Sequence, residues 1–218
     1  DECDPQDVGL TQAGVDSIWQ TVQALYQSGT QTGIQLSIRR HGKRILNRSI
    51  GHASGNAPKD SPDTTKTPLY PHTPVCLFSA SKAITAILVH KLVEQGLLKL
   101  DDLVCDYIPE YAQNGKSETT LSHVLSHRAG IPFFKVDKPD PALLLQWDWM
   151  IEQLCAAKPQ FPHNKTQAYH ALTGGFVVGE VMRRATGMEL RDLMDLYFRK
   201  PLNFRYFNYG LDEGDLSR

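Results

Sequence analysis

The chain has 218 residues, 41% of them hydrophobic, and a formal net charge of −1. That is enough apolar material for one sizeable core or a little more, and with no basic tract nothing points to nucleic acid or an acidic membrane surface as a partner. No apolar run reaches the roughly 18 residues that a membrane-spanning helix needs. The opening Asp1-Glu2-Cys3-Asp4-Pro5 carries neither a methionine nor an apolar signal core, so the compartment is left open between cytoplasm and periplasm.

In chain order, Val15, Ile18, Trp19, Val22, Leu25 and Tyr26 recur at helical spacing after a Thr11 cap, which predicts a helix over 11–27 closed by Gly29. Ile34 to Ile38 alternates with period two, His41-Gly42 turns, and Ile45 to Ile50 alternates again, the pattern of a β-hairpin. Residues 51–73, rich in Gly, Pro, Asp and Thr, read as a loop. A long apolar pattern then predicts a helix from Ser79 to Gln95 with Gly96 just past its end. A short helix over 121–127 follows a Thr120 cap, and the proline-bearing stretch 131–146 should wander over the surface. Further helices are expected over 147–157, 172–186 and 189–199. Two strands followed by helices make an α+β chain, divided into a first part, 1–73, and a helical second part, 74–218.

Chemistry concentrates at Ser79-Ala80-Ser81-Lys82. On a helix a serine and a lysine three residues apart share a face. The following Ala83 to Val89 is apolar almost all round, which predicts a buried helix. In low dielectric the lysine amine is pushed toward its neutral form and can take the serine's proton. That pairing points to acyl transfer through an acyl-serine. Cys3, Cys76, Cys105 and Cys155 form no CxxC and no Cys/His cluster, so free buried thiols are the default. Neither a metal nor a cofactor is expected, although His123 and His127 lie four apart. Trp147, Trp149, Phe133 and Phe134 form an aromatic group that reads equally as a lid over an apolar pocket or as core.

Leu77 to Ala86 resembles the active-site helix of the serine β-lactamase and penicillin-binding-protein superfamily, its class C β-lactamase and family VIII carboxylesterase branch above all. Gly96-Leu97-Leu98-Lys99-Leu100-Asp101-Asp102 leading to Tyr107-Ile108-Pro109-Glu110, the block Thr120 to Pro132, and Ala185-Thr186-Gly187 are similar to further motifs of that family, in order, between about residues 33 and 205. The resemblance implies an antiparallel sheet beside a helical domain, with Ser79 as nucleophile, Lys82 as base and Tyr169 as a phenolic proton shuttle.

Two departures matter. The family often reads Tyr-x-Asn at the tyrosine, whereas this chain reads Tyr169-His170-Ala171. Ala171 cannot hydrogen-bond an amide, which favours small esters over β-lactams or peptidoglycan as the substrate recognised at Ala171 and His170. His170 reads either as a supporting partner or as a surface histidine. The family's third motif, Lys-Thr-Gly or His-x-Gly on a returning strand, has no counterpart: Thr173-Gly174-Gly175, His41-Gly42 and Lys66-Thr67-Pro68 all fall elsewhere. The expectation is a chain that stops before its returning strands and pairs with a C-terminal complement, or with a second copy, through the open hairpin edge. The implied activity is a carboxylesterase or transesterase; the alternatives are a β-lactamase or D,D-peptidase, or a catalytically silent scaffold.

Overall fold

The computed structural model describes residues 1–211; the end of the chain, 212–218, lies outside the described residues. The chain divides into two compact units at Cys76/Leu77, three residues beyond the boundary expected from the sequence.

In the first unit, helix α1 (Gln12–Gln27) begins where Thr11 accepts the Gly14 N–H at 3.1 Å, which satisfies one of the helix's orphan donors. Strands β1 (Gly33–Arg40) and β2 (Lys43–Ser54) pair antiparallel, with Ile34 opposite Ile50 and Ile38 opposite Leu46. The turn places His41 at φ 50° and Gly42 at φ 76°, the two left-handed residues that a tight hairpin requires. The register then slips between Ile38 and Arg39, leaving Ile45 without an opposite number. That bulge lets Ile45 and Leu46, adjacent in sequence, both be buried. A third strand, β3 (Thr67–Pro68), pairs with the end of β2 inside the stretch read as loop. Two residues, one without an N–H, leave no periodicity to read. Side chains add to the backbone pairing there: Ser49 Oγ donates to the Leu69 carbonyl at 2.7 Å and Gln35 to that of Thr73 at 2.8 Å. The edge of β2 is therefore partly covered, while β1 pairs on one side alone among the described residues.

The second unit is helical: α2 (Ser81–Glu94), α3 (Val104–Tyr107), α4 (Leu121–Leu125), α5 (Trp147–Ala156), α6 (Thr173–Thr186) and α7 (Leu190–Met194), with a π turn over Asp195–Arg199. Leu88, Leu92, Leu121, Leu154, Val181 and Leu193 form the centre of its core. Helix α2 is not buried all round as its composition suggests. Leu88, Val89 and Leu92 point into the core, but Ile87 and the first turn are exposed or half-exposed. Two charged side chains sit in this interior. Lys116 donates to the carbonyls of Gln113, Cys155 and Ala157 at 2.7–2.9 Å. Glu180 accepts from Trp147 Nε1 at 2.8 Å and from Arg183 and Arg184. The aromatic group accordingly splits: Trp147 packs against Phe176, both partly buried at the margin of the core, Phe134 packs against Trp149, and Phe133 is exposed. All four cysteines are free; only Cys155 is buried, while Cys3 and Cys105 are half-buried and Cys76 is exposed in the segment before Ser79. No helix among the described residues is long and apolar enough to cross a membrane.

Candidate active site

Ser79 lies in a single 3-10 turn, Phe78–Ala80, and α2 starts two residues later than its sequence pattern predicts. The cause is Phe78, whose φ of 45° is left-handed and cannot join a regular helix. Strain of this kind in a bulky residue next to a reactive side chain is characteristic of functional sites. As the second residue of the turn, Ser79 also has a backbone N–H that the turn itself cannot satisfy.

Lys82 sits in the first turn of α2, its Nζ 3.5 Å from Ser79 Oγ, at the outer limit of a hydrogen bond. It is half-buried, not enclosed in the dry interior that its apolar neighbours suggest. Tyr169 arrives from the segment before α6, and its hydroxyl donates to Ser79 Oγ at 2.7 Å. Lys82 Nζ stands 4.9 Å from the centre of the Tyr169 ring. The bond with Ser79, then the bond and charge of Lys82, hold the Tyr169 phenol below its ordinary value. Ser79, Lys82 and Tyr169 thus converge, and the tyrosine oxygen is the nearer partner of the serine.

Ala171 is exposed beside the corner and offers only a methyl group. His170 departs from the surface and substrate-contact readings, and its bonds are those of a supporting partner. It is 2% exposed, and both ring nitrogens are engaged: Nδ1 donates to the Ala168 carbonyl at 2.6 Å and Nε2 accepts the Ile131 N–H at 3.1 Å. It is neither a surface histidine nor free to touch substrate. Burial pushes its imidazole below the ordinary value, in keeping with this neutral tautomer.

The 120–132 block supports this corner. Thr120 accepts the His123 N–H at 3.2 Å, and His123 Nδ1 accepts the Thr120 N–H at 3.1 Å, a reciprocal cap at the start of α4. Gly130, at φ 82°, lies where a Cβ would meet the Phe161 carbonyl oxygen at 2.2 Å, so only glycine fits. Among the described residues no group of three or more His, Cys, Asp or Glu could hold a metal ion. Thr173-Gly174-Gly175 opens α6, His41-Gly42 forms the hairpin turn, and Lys66 precedes β3. Tyr209, which no sequence pattern singles out, shares a 2.7 Å hydrogen bond with Thr85, one turn along α2 from Lys82.

An antiparallel sheet, a helical unit and a Ser–Lys–Tyr corner at the head of α2 define a β-lactamase/transpeptidase-like fold. Residues 18–218 match the Beta-lactamase family model, and the chain belongs to that family. Over 139 residues, 64% of this chain and 32% of the relative, it is 33% identical to the Esterase/beta-lactamase LipL of Mycobacterium tuberculosis. Esterase EstB of Burkholderia gladioli is 27% identical over 77% of this chain and 44% of its own. A penicillin-binding-protein homologue from Caulobacter crescentus superposes with a TM-score of 0.80 at 30% identity over 92% of this chain and 51% of that structure. A family VIII carboxylesterase gives 0.78 at 27% identity over 92% and 53%. The chain therefore spans about half, or less, of the length of these relatives.

Proposed function

We propose that the protein is a serine hydrolase that cleaves small carboxylic esters through an acyl-serine. The observation that carries this reading is the 2.7 Å contact between the Tyr169 hydroxyl and Ser79 Oγ, with Lys82 beside both. In the reactive form the tyrosine is a phenolate, stabilised by the cation of Lys82. Ser79 Oγ attacks the ester carbonyl while its proton passes to the Tyr169 oxygen, and the Ser79 N–H lies ready to donate to the developing oxyanion. Tyr169 then returns that proton to the departing alkoxide, which leaves as the alcohol. Water repeats the sequence on the acyl-serine and releases the acid.

Ala171 supports the ester preference, since it supplies no amide to a β-lactam side chain. Several relatives are named as esterases, and one of them as esterase and β-lactamase together. The open side of β1 supports a second element of the proposal, pairing there with a complementary strand or a second copy. Short-chain p-nitrophenyl esters and nitrocefin compared on the same preparation test the substrate class. The ester should show the larger kcat/KM; a larger value for nitrocefin would replace the esterase reading with a β-lactamase.

A further inference from the structure

Outside the Ser79–Lys82–Tyr169 corner, one residue gathers three contacts around the tyrosine. The His127 carbonyl accepts the Ala168 N–H at 3.0 Å. Its Nδ1 accepts the His170 N–H at 3.2 Å. Its ring meets that of Tyr169 edge-on, with centroids 4.9 Å apart. The backbone on either side of Tyr169 is thus hung on His127, and the side chain is braced by the same residue. His127 is itself left-handed at φ 62°, a conformation that disfavours a residue with a β-carbon. The bracket closes through His170, whose ring stacks on that of His127 at 5.8 Å and ties Ala168 to Ile131.

We propose that His127 is the positioning residue for Tyr169, and that it works only as the neutral imidazole whose Nδ1 accepts the His170 N–H. The inference rests on the reading that Tyr169 relays the proton of Ser79. A protonated Nδ1 cannot accept, so acid would orphan the His170 N–H and loosen the tyrosine. The groups facing His127 are Lys82 from α2 and Tyr169 and His170 from the segment before α6, with Arg128 next to it in the chain. Burial first, then the positive charge of Lys82, push His127 below the ordinary histidine value. The bracket is accordingly intact at neutral pH and opens only as pH falls below that ordinary value.

The test compares His127→Ala with His127→Asn, each checked for folding by thermal melting. Asparagine offers an acceptor oxygen near the position of Nδ1 and tolerates a left-handed backbone, but it does not titrate. In His127→Ala, kcat should fall by about a hundredfold, the scale of an ångström's misplacement. KM should change by less than about threefold, and His127→Asn should recover at least about tenfold of the lost kcat. The wild type should show an acid-side ionisation in kcat that is absent from His127→Asn. A folded His127→Ala with wild-type kcat, or a His127→Asn with an unchanged acid limb, would overturn the proposal. A readout independent of turnover separates this inference from the catalytic reading. In Ser79→Ala protein, the His170 amide resonance should follow the ionisation of His127. An amide that ignores that titration would refute the bracket even in an active enzyme, and one that follows it would uphold the bracket even if Ser79 proved not to be the nucleophile.

Discussion

Two places in the helical unit gather polar and charged side chains, and they treat them in opposite ways. The charged groups of Lys116 and Glu180 themselves are fully partnered. The ammonium has three carbonyls for its three protons, and the carboxylate is shared among Trp147, Arg183 and Arg184. At the Ser79 corner the groups are half-exposed or exposed, and the closest contact is between two hydroxyls. Strain lies beside this corner, at Phe78 and His127. Saturated charge buried in a core fixes structure, whereas polar groups with spare bonding capacity at a strained, open corner are available to a substrate.

Substitutions at the two places should therefore separate activity from stability. The largest effect is expected for Ser79→Ala, with esterase turnover reduced on the order of 10⁴-fold or more and an unchanged melting temperature. Lys116→Met should do the reverse. Three carbonyls lose their donor, a cost of about 3 kcal/mol in chemical denaturation, while kcat per folded molecule is retained. Loss of kcat without loss of stability would place Lys116 in the catalytic machinery and undo the contrast.

Glu180→Gln should cost about 2 kcal/mol at neutral pH, because bonds to a charged acceptor are weakened. Burial alone would raise the Glu180 carboxyl, but its bonds from Arg183, Trp147 and Arg184 hold it below the usual carboxylate range. Its contribution is thus fully present above the ordinary glutamate value and lost as pH falls through the lower native one. Denaturation midpoints measured across that acid window should fall more steeply for the wild type than for Glu180→Gln. Parallel curves would show that the carboxylate is not the stabilising form. The smallest effect belongs to Ala171→Asn, which adds an amide at the exposed edge of the site. The ratio of nitrocefin to ester kcat/KM should rise modestly; a fall would show that Ala171 does not face substrate.

Elements with a local signature were legible in the sequence. The Thr11 and Thr120 caps, the His41-Gly42 turn and the apolar spacing of α1, α5 and α6 all report on neighbours a few residues away. Contacts between distant partners leave no such local signature. Tyr169 meets Ser79 across 90 positions and Tyr209 meets Thr85 across 124, and no periodicity encodes either contact. Ser79, Lys82 and Tyr169 were named from motifs, but the motifs do not show that Phe78 would bend into a left-handed turn and delay the helix. Nor do they reveal that His170 would turn inward, because a lone histidine after a tyrosine reads the same whether exposed or buried. His127, like Lys116, is recognisable only from the backbone groups it bonds, which side-chain pattern does not record.

The central claim is that Ser79 is the residue on which acyl transfer takes place, activated by Tyr169 with Lys82 beside it. Labelling with a fluorophosphonate, followed by peptide mass spectrometry of wild type, Tyr169→Phe and Ser79→Ala, tests it most directly. The account predicts a single adduct on Ser79, formed far more slowly in Tyr169→Phe and absent from Ser79→Ala. An adduct on Ser81 or Cys76, or labelling of Ser79 at an undiminished rate without the tyrosine hydroxyl, would contradict it.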